Sequence, residues 1–103
     1  MEVTVAKFTC PCCGHKTLQS SHDWDICPVC RWEDDVVGDT DACSPANGDV
    51  LLSRAQANFI LFGVSNTSRE KRARPPRGNE PLDKNWKPLI AALELVRTER
   101  SEQ

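Results

Sequence analysis

Residues 10–14 read Cys-Pro-Cys-Cys-Gly and residues 26–30 read Ile-Cys-Pro-Val-Cys. Each stretch holds a C-x-x-C pair, Cys10 with Cys13 and Cys27 with Cys30. Two intervening residues let both thiolates of a tight turn reach one ion, and two such turns supply the four soft ligands of a closed tetrahedral zinc site. Pro11 and Pro28 follow the first cysteine of each pair and fix φ where the chain must reverse. Gly14, directly after Cys13, suits a left-handed position that turns backbone N–H groups toward the sulfurs. Four thiolates around Zn²⁺ leave a local charge of about minus two, which those N–H groups and the neighbouring Lys16 and Arg31 partly offset. The pairs therefore predict one structural zinc ion and a small zinc-ribbon-like α+β fold.

Two disulfides are the alternative use of these four cysteines. Disulfide frameworks belong to oxidising compartments, and the opening MEVTVAKF lacks the charged and apolar regions of a secretory signal. Zinc in a cytoplasmic setting is the expectation. Cys12 lies inside the first knuckle but cannot easily aim at the same ion as its neighbour Cys13, so it reads as a free thiol packed like a small hydrophobe. Cys43, in an acidic and turn-rich stretch, reads as an ordinary free thiol rather than a reactive one. His15 and His22 are possible replacement ligands, yet four well-spaced thiolates leave them as surface residues.

At 103 residues the chain is one domain, near the size at which a hydrophobic core alone gives thin stability and a metal staple helps. No apolar run approaches a membrane span, and a net charge of −2 argues against a generic binder of nucleic acid or membrane surfaces. Charge is unevenly spread, however. Glu33, Asp34, Asp35, Asp39 and Asp41 form an acidic block, and Arg69, Lys71, Arg72, Arg74 and Arg77 form a basic one containing only Glu70 as a counter-charge. Each block is either solvated loop or a surface that steers a partner of opposite charge.

The expected element order divides the chain into a zinc-knuckle region (1–32), an acidic loop (33–48), a helix (49–63), a basic extended connector (64–85) and a C-terminal helix (86–99). Residues 2–9 alternate loosely as a strand with Thr4, Ala6 and Phe8 on one side, and strands at 16–18 and 24–26 are expected to pair as a hairpin between the knuckles. Leu52, Ala55, Phe59 and Phe62 recur on one helix face, Gly63 is the natural stop, and Asp49 or the Ser53–Gln56 pair serves as the N-terminal cap. Trp86, Leu89, Leu93 and Val96 mark the second helix, with Pro88 in its first turn. The connector wraps the domain or awaits a partner, and the second helix docks on the zinc region or offers its stripe to another chain. Trp24 and Trp32, flanking the second knuckle, are expected to cover the metal.

Taken together, CPCCG, CPVCRWEDD, the Asn47-Gly48 turn, RAQANFILFG and Arg74-Pro75-Pro76 resemble the bacterial cysteine-rich CPCC family over about residues 8 to 78. The resemblance implies a small zinc-binding bacterial protein. Some members stand in settings that look like polymorphic toxin and immunity loci, and no enzymatic activity carries over. A closed four-cysteine site offers no position for activated water, and the two histidines form no nucleophile–base arrangement, so no enzyme is expected. The carboxylates of Trp32-Glu33-Asp34-Asp35 read as solvated charge rather than as an acid–base pair. A rubredoxin-like iron carrier shares the knuckle motif and is distinguished by its visible colour.

Two binding functions follow. In the first, the protein is an immunity protein whose acidic face, Glu33 to Asp41, or last helix covers the active site of a toxin domain encoded by a neighbouring gene. In the second, it is a nucleic-acid-binding zinc ribbon that uses Arg69 to Arg77 against phosphates. The net negative charge and the lack of aromatics within the basic run favour the first.

Overall fold

The computed structural model describes residues 7–35, 40–42 and 45–101. Strand β1 (Phe8–Thr9) pairs antiparallel with β2 (Lys16–Leu18), Phe8 opposite Leu18, and β3 (Asp25–Ile26) pairs antiparallel with β4 (Glu33–Asp34). Each knuckle is thus the turn of its own short hairpin. The expected pairing of 16–18 with 24–26 does not form: β2 folds back on β1 while β3 runs forward to β4, inside the stretch read as loop. The local reason is the same in both knuckles. Cys10 N–H donates to the His15 carbonyl and Gly14 N–H to the Cys10 carbonyl, while Cys27 N–H donates to Trp32 and Arg31 N–H to Cys27, each bond at 2.9 Å. A turn closed in this way brings its own flanking residues together before any more distant strand can compete. The expected first strand begins outside the described residues.

Helix α1 (Leu52–Phe62) stops where the sequence places the stop: Gly63 adopts φ 80° and its N–H donates to the Phe59 carbonyl at 2.8 Å. Its start differs. The N-cap is Leu51, without a side-chain bond, and neither Asp49 nor Ser53 caps it. Instead Asp41 Oδ1 accepts from Ser53 N–H at 2.9 Å, satisfying one of the first-turn donors from a distant loop. The buried side is Leu52, Ser53, Ala55, Gln56 and Ala57, whereas Phe62 is exposed. Gln56 accounts for that rotation of the stripe. Its Nε2 donates to the Pro11 carbonyl and its Oε1 accepts from Leu89 N–H, both at 2.8 Å, so this buried amide ties the first knuckle to the chain leading into α2.

Helix α2 (Ile90–Ser101) begins four residues later than the expected 86. Pro88 lies before the helix, because a proline biases the residue preceding it away from the α region. Ala92 and Val96 face inward, Leu93 is half-exposed, and Glu99 pairs with Arg54 of α1. The helix therefore docks on α1. No helix among the described residues is long and apolar enough to cross a membrane.

The connector wraps the knuckles. Ser65 N–H donates to the Cys30 carbonyl at 2.8 Å, Lys16 N–H to Pro81 at 2.9 Å and Asp83 N–H to Gly14 at 2.8 Å, so the segment supplies the backbone partners that two isolated hairpins would lack. It also contains a 3-10 helix, Thr67–Arg72, capped by the Asn66 side chain on Ser68 N–H.

Candidate metal centre

The two knuckles face each other. Cys10, Cys13, Cys27 and Cys30 are all buried, and their sulfurs lie within 4.8 Å of one another. Cys10 Sγ stands 3.6 Å from Cys30 Sγ, and Cys13 Sγ 3.8 Å from Cys27 Sγ. A tetrahedral ion with metal–sulfur bonds of about 2.3 Å requires sulfur–sulfur edges of about 3.8 Å. Both cross-knuckle edges match that requirement, and they far exceed a disulfide bond of about 2.05 Å. The donor set fits one tetrahedral metal ion, with each knuckle contributing two ligands.

The surroundings prepare those sulfurs unequally. Burial pushes the Cys10 and Cys30 thiols well above their ordinary value. Cys27 is held far below it, first by the hydrogen bond from Cys10 and then by those from Cys13 and Cys30. The Thr17 hydroxyl also donates to Cys27 Sγ at 3.0 Å. Metal ligation needs thiolates, so binding releases thiol protons and metal affinity falls with falling pH. Cys12 is fully buried beside the cluster, outside the four-sulfur group, and burial raises its thiol. It packs as the small hydrophobe that its position suggests.

The core and the site are one object. The buried cluster consists of Cys10, Cys12, Cys13, Leu18, Cys27, Val29, Cys30, Trp32, Leu52 and Ala55, so four of its ten members are the candidate ligands. Residues 8–80 match the model of the cysteine-rich CPCC family. The chain belongs to the cysteine-rich CPCC family. No curated protein and no solved structure matches it.

Other features of this CPCC protein depart from expectation. Trp32 covers the cluster at 1% exposure, but Trp24 is 54% exposed and covers nothing of the metal site. The second cover is Trp86, expected as a helix residue. Its Nε1 donates to the Pro11 carbonyl at 3.0 Å and its ring lies against Gly14, where a Cβ would stand 2.8 Å from Cζ3 and nearer still to Cε3. His15 is half-buried rather than free on the surface: Nδ1 contacts the Glu80 carbonyl at 2.8 Å and the ring meets Phe59 edge-on. His22 is exposed, and neither histidine joins the sulfur cluster.

The acidic block does not form one face. Asp34 and Asp35 are buried, and Asp34 Oδ2 accepts from His22 N–H at 2.7 Å. Glu33 is half-buried, its backbone gripped by the Asn47 amide through two 2.8 Å bonds. Asp41 is exposed but engaged with α1, and Asp39 and Cys43 lie outside the described residues. A stretch rich in carboxylates reads as solvated, yet here Asp34 in β4 and Asp35 directly after it both lie in the interior.

The basic block is divided as well. Arg69 donates to the Arg31 and Ala46 carbonyls at 3.2 and 3.0 Å. Arg74 makes a two-pronged pair with buried Glu80 at 2.7 and 2.8 Å. Lys71, Arg72 and Arg77 are exposed. Arg74, with the Arg77 N–H at 2.8 Å, holds the Glu80 carboxyl down to about 2. A depressed carboxyl contributes stability above its unfolded value and loses it as pH falls through the folded one, here between about 4.5 and about 2. Arg74→Ala is expected to lower the melting temperature at pH 7 by roughly 10 °C, because it strands a buried carboxylate. A carboxyl-detected NMR titration should find Glu80 still ionised at pH 4 in the parent, and protonating at higher pH in the variant. An unshifted Glu80 and an unchanged melt would remove the pair from the fold's support.

Proposed function

We propose that the four cysteines hold one zinc ion as a structural staple, and that the protein works without catalysis by binding another protein. The enclosure of the four sulfurs carries the first part. A cluster of four thiolates with its ligands at 0–2% exposure has no open coordination position from which to polarise a substrate or activate water. The ion would supply folding energy, and the surface that it organises would supply the activity. The specific form we favour is an immunity protein that neutralises a cognate toxin domain encoded by a neighbouring gene, in a cytoplasmic setting. Family analogy supports that form. The acidic face no longer does, since Asp34 and Asp35 are interior and their charge reversal would damage the fold rather than an interface.

Nucleic-acid binding through residues 69–77 loses two of its five cations to internal bonds, Arg69 to backbone carbonyls and Arg74 to Glu80. That leaves the protein-binding reading ahead. Co-expression with the product of the adjacent gene, followed by capture at moderate salt, tests it. The expected result is a stoichiometric protein complex whose partner is toxic when expressed alone. Recovery of nucleic acid instead, or of the chain alone, would contradict the inhibitor reading for that neighbour.

A further inference from the structure

The two knuckles share one backbone design, and they differ at one telling position. The residue after the second cysteine adopts a left-handed conformation in both, Gly14 at φ 79° and Arg31 at φ 68°. Glycine has no steric penalty there, whereas a residue with a Cβ costs about 1–2 kcal/mol. Gly14 is further required by the Trp86 ring. No such contact is needed to account for Arg31, and its guanidinium has no hydrogen-bond or ion-pair partner among the described residues. A residue in a strained conformation whose side chain adds no internal bond points to a use outside the fold.

Its surroundings indicate the use. Arg31, Arg69 and Arg72 line a cavity of about 170 Å³ together with Ile26 and Glu33. Arg69 is held by its two carbonyl bonds, which fixes one guanidinium in place. Three cations against one carboxylate leave a net positive pocket in a chain whose overall charge is −2. Ile26 in its lining is 40% exposed, and Trp24, two residues earlier in the chain, is 54% exposed. Tryptophan and arginine are among the residue types that dominate protein–protein hot spots.

We infer that this pocket on the second knuckle receives a carboxylate side chain from an acidic, partly apolar segment of a protein partner, with Trp24 and Ile26 taking the neighbouring apolar side chain. The inference rests on the protein-binding reading and names its surface and the partner's chemistry. Guanidinium groups match carboxylates through paired N–H donors, and Glu33 in the lining disfavours the continuous run of phosphates that a nucleic acid presents.

The test uses the full zinc-loaded chain and a fluorescent peptide alternating Glu with Leu and Phe, beside its Gln-for-Glu counterpart and a single-stranded RNA oligonucleotide of equal length. Arg31→Gly is the central variant, because relief of the left-handed strain should keep or raise the melting temperature. We expect saturable binding of the acidic peptide, weakened about tenfold or more by Arg31→Gly with Arg72→Ala and by the Gln peptide, and a Trp24 indole NMR signal that moves on binding. Absence of saturable binding, equal affinity in the variant, or tighter arginine-dependent binding of the RNA would overturn it. Should the chain still capture its neighbour-encoded protein after such a failure, the protein-binding reading would stand with another surface.

Discussion

Cys27→Ser should abolish metal binding and unfold the chain through the knuckle region, with helix α1 losing its packing in the same transition. Structural zinc contributes about 10–16 kcal/mol in sites of this kind, against a total stability of about 5–15 kcal/mol for a domain. The effect is large because the candidate ligands are part of the core: Leu18, Val29, Trp32, Leu52 and Ala55 share one buried cluster with the four cysteines. Cys27 is the most telling position, since its sulfur is fully buried and also receives the Thr17 hydroxyl. Amide dispersion in an NMR spectrum and metal content by elemental analysis read the outcome. A variant that keeps both its dispersion and its melting temperature would show that the fold does not depend on a four-thiolate ion site.

Gly14→Ala should be far more damaging than the same change at Gly63. Gly14 and Gly63 have nearly the same φ, 79° and 80°, so the backbone penalty of an alanine is matched at the two sites. The space is not. A Cβ at Gly63 meets nothing within 4 Å, whereas at Gly14 it lies inside the Trp86 indole. Gly63→Ala should cost about 1 kcal/mol from backbone strain alone. Gly14→Ala adds overpacking of about 1–3 kcal/mol and displaces the Trp86 Nε1 bond to Pro11. A red-shifted tryptophan emission and a lost indole N–H signal would report the displacement. In a double variant with Trp86→Ala the two losses should add to less than their sum, because the second change removes the clash. Equal costs at Gly14 and Gly63 would contradict the placement of Trp86.

What was legible in the sequence was local. The C-x-x-C spacing, the prolines within it and Gly14 announce two turns that carry thiolates, and the structure brings those four sulfurs together. Gly63 ends α1 because a left-handed stop is a property of one residue and its helix. The misplaced features depend on distant parts of the chain. Trp86 reaches Pro11 across 75 residues, Asp41 caps α1 from another loop, and Gln56 is buried because two backbone groups from opposite ends of the chain need it. No periodicity reports such pairings. Charge misled for a related reason. A run such as Glu33-Asp34-Asp35 looks exposed until tertiary packing buries two of its side chains, Asp34 in β4 and Asp35 just beyond it. In the sequence Arg31 reads as an offset to the thiolate charge, and only the backbone angle reveals it as a strained position.

Native mass spectrometry of the untagged chain, paired with a visible absorption spectrum, tests the central claim most directly. A closed four-thiolate zinc centre predicts one zinc ion per chain, loss of that ion on denaturation in acid, all six cysteines reduced, and a colourless solution. A metal-free mass lower by four hydrogens would mean two disulfides, and a coloured protein carrying iron would mean an electron-transfer centre. Either result would contradict the account.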